Sequence, residues 1–534
     1  LELRRESSLL YSLFQTAKKE FDQNGRMLVT LGDNAVAFDK AKELETFSDA
    51  VSTYIAPLML GLTDISIGID DSYKGMTEAQ LKTAVGEMFY DIDDELGRSF
   101  SFMTDNSLYD IELRDNKNIA EGAYTVLLTG KGVPYLFTSN TEDDIWRVTT
   151  FIHESGHACA LMHSPLVADP WSEYLLTMSV DTGEIQAQGL EMLSEYHFGR
   201  LFGSAAAYAR YLETSTIAMS IVDGCFFNEW QTRVYSEKNP DVDKANEIAA
   251  ELLDKYYGVQ DYKKEDAQNI WVGVQHNFVA PMYYVSYAVS AAAALDIYAL
   301  SLDDRDSAVD KYMQLSALGA FVPFKEAANE AELDDVFDPE TVKRISEVIA
   351  EDMGLAYSDI DADAWYAPYF YETSHISDRR TDTEFMPDAA ITRGEFVELL
   401  GKMYEYYEDD IDSNAAITFE DVKADSKDAK YIAWAEENGI ITGYSENEFG
   451  YDDEITREQL VTMLSRIDGN YVFTDVLFNY TDADAISLWA AGAMSWAITN
   501  SIINGRDGNL LAPKENTTRA EAVKIAACYI KEKY

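Results

Sequence analysis

Phe151-Ile152-His153-Glu154-Ser155-Gly156-His157-Ala158-Cys159-Ala160-Leu161-Met162 continues the apolar lead that begins at Trp146, and no helix breaker other than Gly156 interrupts it. On a helix, residues four apart share a face, so the imidazoles of His153 and His157 can reach one metal ion. Glu154 then stands beside the ion rather than on it, where a general base for an attacking water must sit. The chain has only six histidines, so the pairing is informative. Cys159, two positions past His157, points off the metal face and reads as a buried thiol.

A third ligand could come from two places. His163 lies ten residues after His153, but the histidine-rich pattern with that spacing needs a glycine where Ala160 stands, so His163 reads as a polar residue near the helix end. The rival is Asp181-Thr182-Gly183-Glu184-Ile185-Gln186-Ala187-Gln188-Gly189-Leu190-Glu191, where Asp181 or Thr182 can cap a helix. Glu184 and Glu191 are two turns apart on one face, so one could bind a metal and the other hold a ligand histidine. Spacing alone also allows two acids on a solvated face.

Working outward, the rest of the first 350 residues reads as mostly helical, including Val242–Gly258 and a last helix over 330–352. Val133–Thr138 alternates and carries Pro134, which predicts an edge strand. Val285–Leu300 is apolar but interrupted by Asp296, and predicts a buried helix rather than a membrane span. The last third repeats: Ile391-Thr392-Arg393, Ile455-Thr456-Arg457 and Thr517-Thr518-Arg519 are 64 and 62 residues apart. Phe385, Phe449 and Leu511 each precede the arginine by eight, and openings at Tyr357, Phe419 and Tyr480 each carry an aspartate two residues on. Each threonine is placed to cap the helix that follows.

Composition limits the partners. The 534 residues are 47% hydrophobic, enough for several cores, and a net charge of -53 repels nucleic acid and anionic lipid. Three cysteines are too few for a disulfide framework. The chain lacks an initiating Met and a basic, apolar leader, and is expected to be a processed or trimmed form.

The surroundings of the two histidines resemble the M3 family of zinc oligopeptidases, the thimet oligopeptidase and oligoendopeptidase F group. The likeness rests on His153 to His157, on Glu184 to Glu191, on Asp110, Glu121-Gly122-Ala123-Tyr124, Pro134-Tyr135 and Asn140, and on Asp223–Tyr235 and Glu251–Gly258. It closes with His276, Pro281, Tyr283, Tyr284 and Tyr287, and covers about residues 50 to 320. It implies one zinc ion on His153, His157 and Glu184, Glu191 holding a ligand histidine, and Glu154 as base. It also implies that Tyr287, with Tyr284 or His276, donates to the developing oxyanion; the edge strand near Tyr135 is expected to hold the substrate backbone by strand addition, and Tyr283 to contact the peptide. The family's long helical region before the zinc motif is expected to be truncated here, with residues 1 to about 60 as its remnant. The expected activity is endo-hydrolysis of short peptides, with a carboxypeptidase or a catalytically silent wall-bound protein as alternatives.

The repeats resemble S-layer homology modules, which attach exported bacterial proteins to cell-wall polysaccharide. Copy one departs from the pattern, with Ser374-His375-Ile376-Ser377-Asp378 where the others have a glycine-bounded turn. The likeness implies that Arg393, Arg457 and Arg519 face an acidic, pyruvate-bearing sugar, which a guanidinium fork suits; pairing with a neighbouring acid is the competing role. The fold expected is mainly α: a zincin-type helical metallopeptidase domain with a small β edge sheet (residues 1–355), then three helical modules (356–534; about 357–411, 418–469 and 473–532). The place expected is the bacterial cell surface, without a membrane span.

Overall fold

The computed structural model describes residues 40–534 apart from 66, 68–74, 112–121, 129–131, 140–143, 164–179, 239, 259–266, 268–269, 275, 280–282, 320–321, 379, 382, 412–416, 425, 427 and 507. Glu121, Asn140 and Pro281, quoted above, fall outside the described residues. The chain divides into two compact units, the first holding residues up to 64, 74–195 and 212–350, the second 65–73, 196–211 and 351–534. Residues 196–211 therefore count with the repeats, a placement that no sequence pattern predicts. The cause is local packing: a Cβ on Gly199 would lie 2.2 Å from the Tyr406 carbonyl oxygen, and Arg200 donates to the Glu405 carbonyl at 3.3 Å.

The first unit is helical around one small sheet. Three helices build its core: α1 (Asp144–His163), α2 (Val180–Ser194) and α4 (Val285–Ser301), with α3 (Ala206–Ser236), which counts with this unit from Leu212 on, lying between α2 and α4 in the chain and α5 (Arg305–Leu318) following them. Helix α2 packs against both α1 and α4 and is buried almost all round. Small residues make this possible. Alanines 291–294 of α4 carry little bulk, and a Cβ on Gly189 would press on Tyr312 and Ile297 at 3.2 and 3.3 Å. The polar side chains of α2 find partners: Thr182 Oγ1 donates to the Val322 carbonyl at 2.7 Å and Gln186 Nε2 to the Leu315 carbonyl at 3.1 Å. As expected, the helix is buried; Asp296 within it is paired with Arg344 and accepts from the Asp334 N–H, which compensates its buried charge. Among the described residues no helix is long and apolar enough to cross a membrane.

Val242–Tyr257 is the expected helix, capped by Asp241 and closed by Gly258 at φ 62°. The single helix expected over 330–352 instead begins at Pro339, because Asp335 and Asp338 accept the Phe337 and Glu340 N–H groups and fold the preceding residues into turns.

The sheet has three strands in the order β1 (Tyr109–Ile111), β3 (Val133–Ser139), β2 (Gly122–Leu128), with β3 parallel to β1 and antiparallel to β2. This corrects the edge assignment of 133–138, which is the central strand. Strand β1 covers only residues 136–138, so Pro134 stands beyond its end, and its missing N–H costs no ladder bond there. Strand β2 has one ladder among the described residues and forms an edge.

In the second unit the three repeats close a ring. Ile391 N–H donates to the Thr517 carbonyl, Thr517 to Ile455 and Ile455 to Ile391, each at 3.0 Å. Helices α6 (Arg393–Tyr407), α7 (Arg457–Asp468) and α8 (Arg519–Lys533) start beside this ring. Glu395, Gln459 and Glu521 accept from the Thr392, Thr456 and Thr518 N–H groups at their starts. The opening aspartates explain their own recurrence. Asp359 accepts from the N–H groups of Phe385 and Met386, Asp421 from Phe449, Gly450 and Tyr451, and Asp482 from Leu511 and Ala512. The residue after the bulky apolar one is left-handed in every copy: Met386 at φ 60°, Gly450 at 79°, Ala512 at 50°. Only copy two uses glycine there, so in the others the aspartate must offset the strain. Copy one's Ser374–Ile376 forms a 3₁₀ turn, where copies two and three have left-handed Gly439 and Ser501.

Candidate functional site

Helices α1 and α2 cross at Gly156. A Cβ there would lie 2.8 Å from Ala187 Cα and 3.0 Å from the Gln186 carbonyl oxygen, so only glycine permits the approach. The crossing brings one donor atom each of His153, His157 and Glu184 within 4.8 Å of one another. His153 Nε2 is 3.7 Å from Glu184 Oε2, and its Nδ1 is 3.0 Å from Glu191 Oε2. His157 is hydrogen-bonded to the backbone of Gly183. Both rings are thus oriented by a second partner, as ligand histidines require, and two imidazoles with one carboxylate suit a single divalent ion.

The electrostatics agree with a cation site. Burial would lower the His153 pKa, but the charges of Glu191, Glu184 and Glu154 outweigh it and push it up to about 10. Burial and the neighbouring His153 hold His157 down to about 3. Burial raises Glu184 and Glu154, with His153 opposing in both. Glu154 is 5% exposed. The Thr125 hydroxyl on β2 lies 2.8 Å from its Oε2 and 2.9 Å from its carbonyl oxygen, which fixes the carboxylate against the sheet. Sequence reading missed Thr125; pairing Gly122–Leu128 with the alternating strand after it would have placed its side chain on the face toward α1. It also missed Glu213, a buried acid on α3 whose carboxyl is raised well above its usual range by burial and by the charges of Glu191 and Glu195. Nothing in the helical pattern of α3 distinguishes it.

His276 and the tyrosines cluster together, but not around one point. The His276 ring stacks on Tyr283 at 5.1 Å, and Tyr283 and Tyr287 are 5.6 Å apart. Burial raises both phenols; the charge of Glu184 raises Tyr283 further, and Tyr283 and Glu184 together raise Tyr287. Tyr284 packs edge-on against Phe227 at 5.1 Å and feels Asp223 instead. Close passage at Gly224, where a Cβ would lie 2.6 Å from Ala288 Cβ, sets the start of α4 and with it these side chains.

His163 stands apart, held by Ser99 and Ser316 hydroxyls at 2.9 Å each. Cys159 is buried, which pushes its thiol up to about 12. Tyr135 pairs with Val126 across the ladder, on the sheet face opposite Thr125, and its strand is interior. Arg393, Arg457 and Arg519 are all buried at their helix starts and reach into the next copy: to the carbonyls of Phe449 and Thr442, of Asn504, and of Phe385 and Asp378 respectively.

Residues 418–461 and 479–523 match the S-layer homology domain, corresponding to copies two and three. The chain is 32% identical to an amylopullulanase of Thermoanaerobacterium thermosulfurigenes, over 28% of this chain and 8% of that protein. It is 28% identical to a cellulosome-anchoring protein of Acetivibrio thermocellus, over 26% and 32%. The chain thus spans a third or less of the length of these curated relatives. Among solved structures it is similar to a putative oligoendopeptidase F from Bacillus anthracis str. Ames, at 20% identity and a TM-score of 0.49, covering 65% of this chain and 63% of that one.

Proposed function

We propose that the first unit is a zinc-dependent endopeptidase for short peptides, and that the second unit attaches it to secondary cell-wall polysaccharide at a bacterial surface. The observation that carries the peptidase reading is the convergence of His153, His157 and Glu184 within 4.8 Å, with Glu154 beside them and Glu191 behind His153. One zinc ion bound by the three supplies a Lewis acid that polarises a peptide carbonyl and acidifies a water. The remaining steps belong to the chain. Glu154, steadied by Thr125, takes the water's proton on its carboxylate and delivers it to the leaving amine. Tyr287 or Tyr283, with His276 stacked beside them, donates to the oxyanion, and their raised pKa values keep them protonated to do so. The edge of β2, rather than the strand of Tyr135, holds the substrate backbone by strand addition, next to Thr125 and hence to the base. Attachment is supported by the matched S-layer homology stretches.

The test is cleavage of a quenched peptide library by the parent chain and by Glu154→Gln, with metal content measured in both. Equal stoichiometric zinc with turnover only in the parent supports the reading, and internal cuts support endopeptidase action. Zinc without turnover in the parent refutes the peptidase.

A further inference from the structure

His276 opens a four-residue helix, His276–Val279, which is too short to hold itself in water. Its place is therefore set by what grips its neighbours, and the grip is on Asn277. That residue is fully buried, yet both its side-chain atoms and both its backbone groups are used. Its Oδ1 accepts from Gln231 Nε2 at 2.8 Å, and its Nδ2 donates to the Trp271 carbonyl at 2.8 Å. Its N–H donates to the Val274 carbonyl at 3.1 Å, and its carbonyl accepts from the Tyr235 hydroxyl. Gln231 and Tyr235, themselves fully buried, are four residues apart and so share one face of α3.

The far end of the grip is fixed as well. Trp271, whose carbonyl Asn277 takes, donates through Nε1 to Asn246 Oδ1 at 2.8 Å on the helix Val242–Tyr257, and its ring stacks on Trp230 at 5.0 Å. Two helices thus hold the loop 271–277 through a satisfied polar network, which fixes one arrangement where apolar packing would allow several. A buried amide costs stability unless its bonds are made, and an apolar residue of the same shape would avoid that cost. Direction is what the amide adds. One residue before Asn277 the half-buried His276 ring stacks on Tyr283 at 5.1 Å with 11° between the planes, and lies 5.6 and 6.1 Å from the Tyr284 and Tyr287 rings.

We propose that Gln231, Tyr235 and Asn277 form a positioning clasp that holds the stacked His276 and Tyr283 rings on the oxyanion side of the site. This rests on the peptidase reading and names what keeps that side of the site in place. Tyr235→Phe removes only the hydroxyl that holds the Asn277 carbonyl, and Gln231→Met only the donor to its Oδ1. A misplacement of about 1 Å can cost about 10²-fold in rate, so each variant should lower kcat about tenfold or more, on the library peptide that the parent cuts fastest, with KM within about twofold. Zinc affinity should stay parental. A merely structural role would cost the same factor whether or not the imidazole is present, so the deciding measurement is the cycle with His276→Ala: adding Tyr235→Phe to that chain should lower kcat no further. Equal losses in both backgrounds, or parental kcat in both single variants, would overturn the clasp. A second readout needs no turnover. Burial holds the His276 imidazole below its ordinary value. With isotope-labelled histidine, its NMR signal is the one missing from His276→Ala, and Tyr235→Phe should bring its titration back toward the ordinary value of about 6.5. An unmoved titration would overturn the clasp, whereas a parent that binds zinc and cuts nothing while the titration moves would refute the peptidase and uphold the clasp.

Discussion

Replacing Gly156 by Ala tests whether the metal ligands are assembled by the crossing of two helices. The added methyl would lie 2.8 Å from Ala187 Cα and 3.0 Å from the Gln186 carbonyl oxygen, both backbone atoms that no rotamer change can move. Carbon atoms pack comfortably at about 3.5–4.0 Å, so α1 and α2 must part by roughly 0.7–1.2 Å. His153 and His157 ride on α1, Glu184 and Glu191 on α2, so the gap opens inside the ligand set. Donor atoms must sit within about 0.2 Å of ideal metal distances, which this separation exceeds several-fold. The expected cost is about 1–3 kcal/mol of stability from overpacking. Zinc affinity should fall by about tenfold or more, each factor of ten being about 1.4 kcal/mol. Thermal unfolding with and without zinc and competition against a chromogenic chelator measure both. A Gly156→Ala chain with parental zinc affinity and unfolding temperature would refute the reasoning, because the helices would then not owe their approach to the missing Cβ.

Glu191→Gln keeps shape but weakens the hold on His153 Nδ1, and should lower zinc affinity about 10–100-fold in the same chelator assay. Tyr287→Phe or Tyr283→Phe should reduce kcat by about 10²-fold or more, while Tyr284→Phe, whose ring faces Phe227 and Asp223, should change it far less; steady-state kinetics on one peptide distinguishes them. Asp421→Ala removes the acceptor of three backbone N–H groups and should destabilise the second unit by about 1–3 kcal/mol in chemical denaturation. Burial is the largest single influence and opposes its ionisation, but the N–H groups together outweigh it and hold the Asp421 carboxyl below its ordinary value. Its contribution is therefore complete above the unfolded pKa of about 3.9 and is lost as pH falls below that, which acid denaturation of the parent and Asp421→Ala should show as converging stabilities.

What the sequence disclosed follows from the distance over which each signal acts. His153 and His157 were legible because four residues on a helix fix a shared face whatever surrounds them. Glu184 needed a resemblance, since 27 residues, of which 164–179 lie outside the described structure, separate it from His157 and no local rule spans that gap. Pro134 was read as an edge marker, yet a proline reports only on the ladder at its own position, and the three-residue β1 arrives two residues later. The repeat arginines stand out by register, but their partners lie in the next copy, so aligning arginines alone does not show that copy two has Gln459 where the others have Glu395 and Glu521, and Tyr444 where they have Arg380 and Arg506. Extending the same register by two and by thirteen residues on either side of the arginine would have exposed both substitutions. Register alone would not have given their meaning, because only the ring closure shows that copy two's helix start faces copy one's arginine. Once that closure is known, loss of a charge in one copy becomes a statement about the junction it shares with its neighbour.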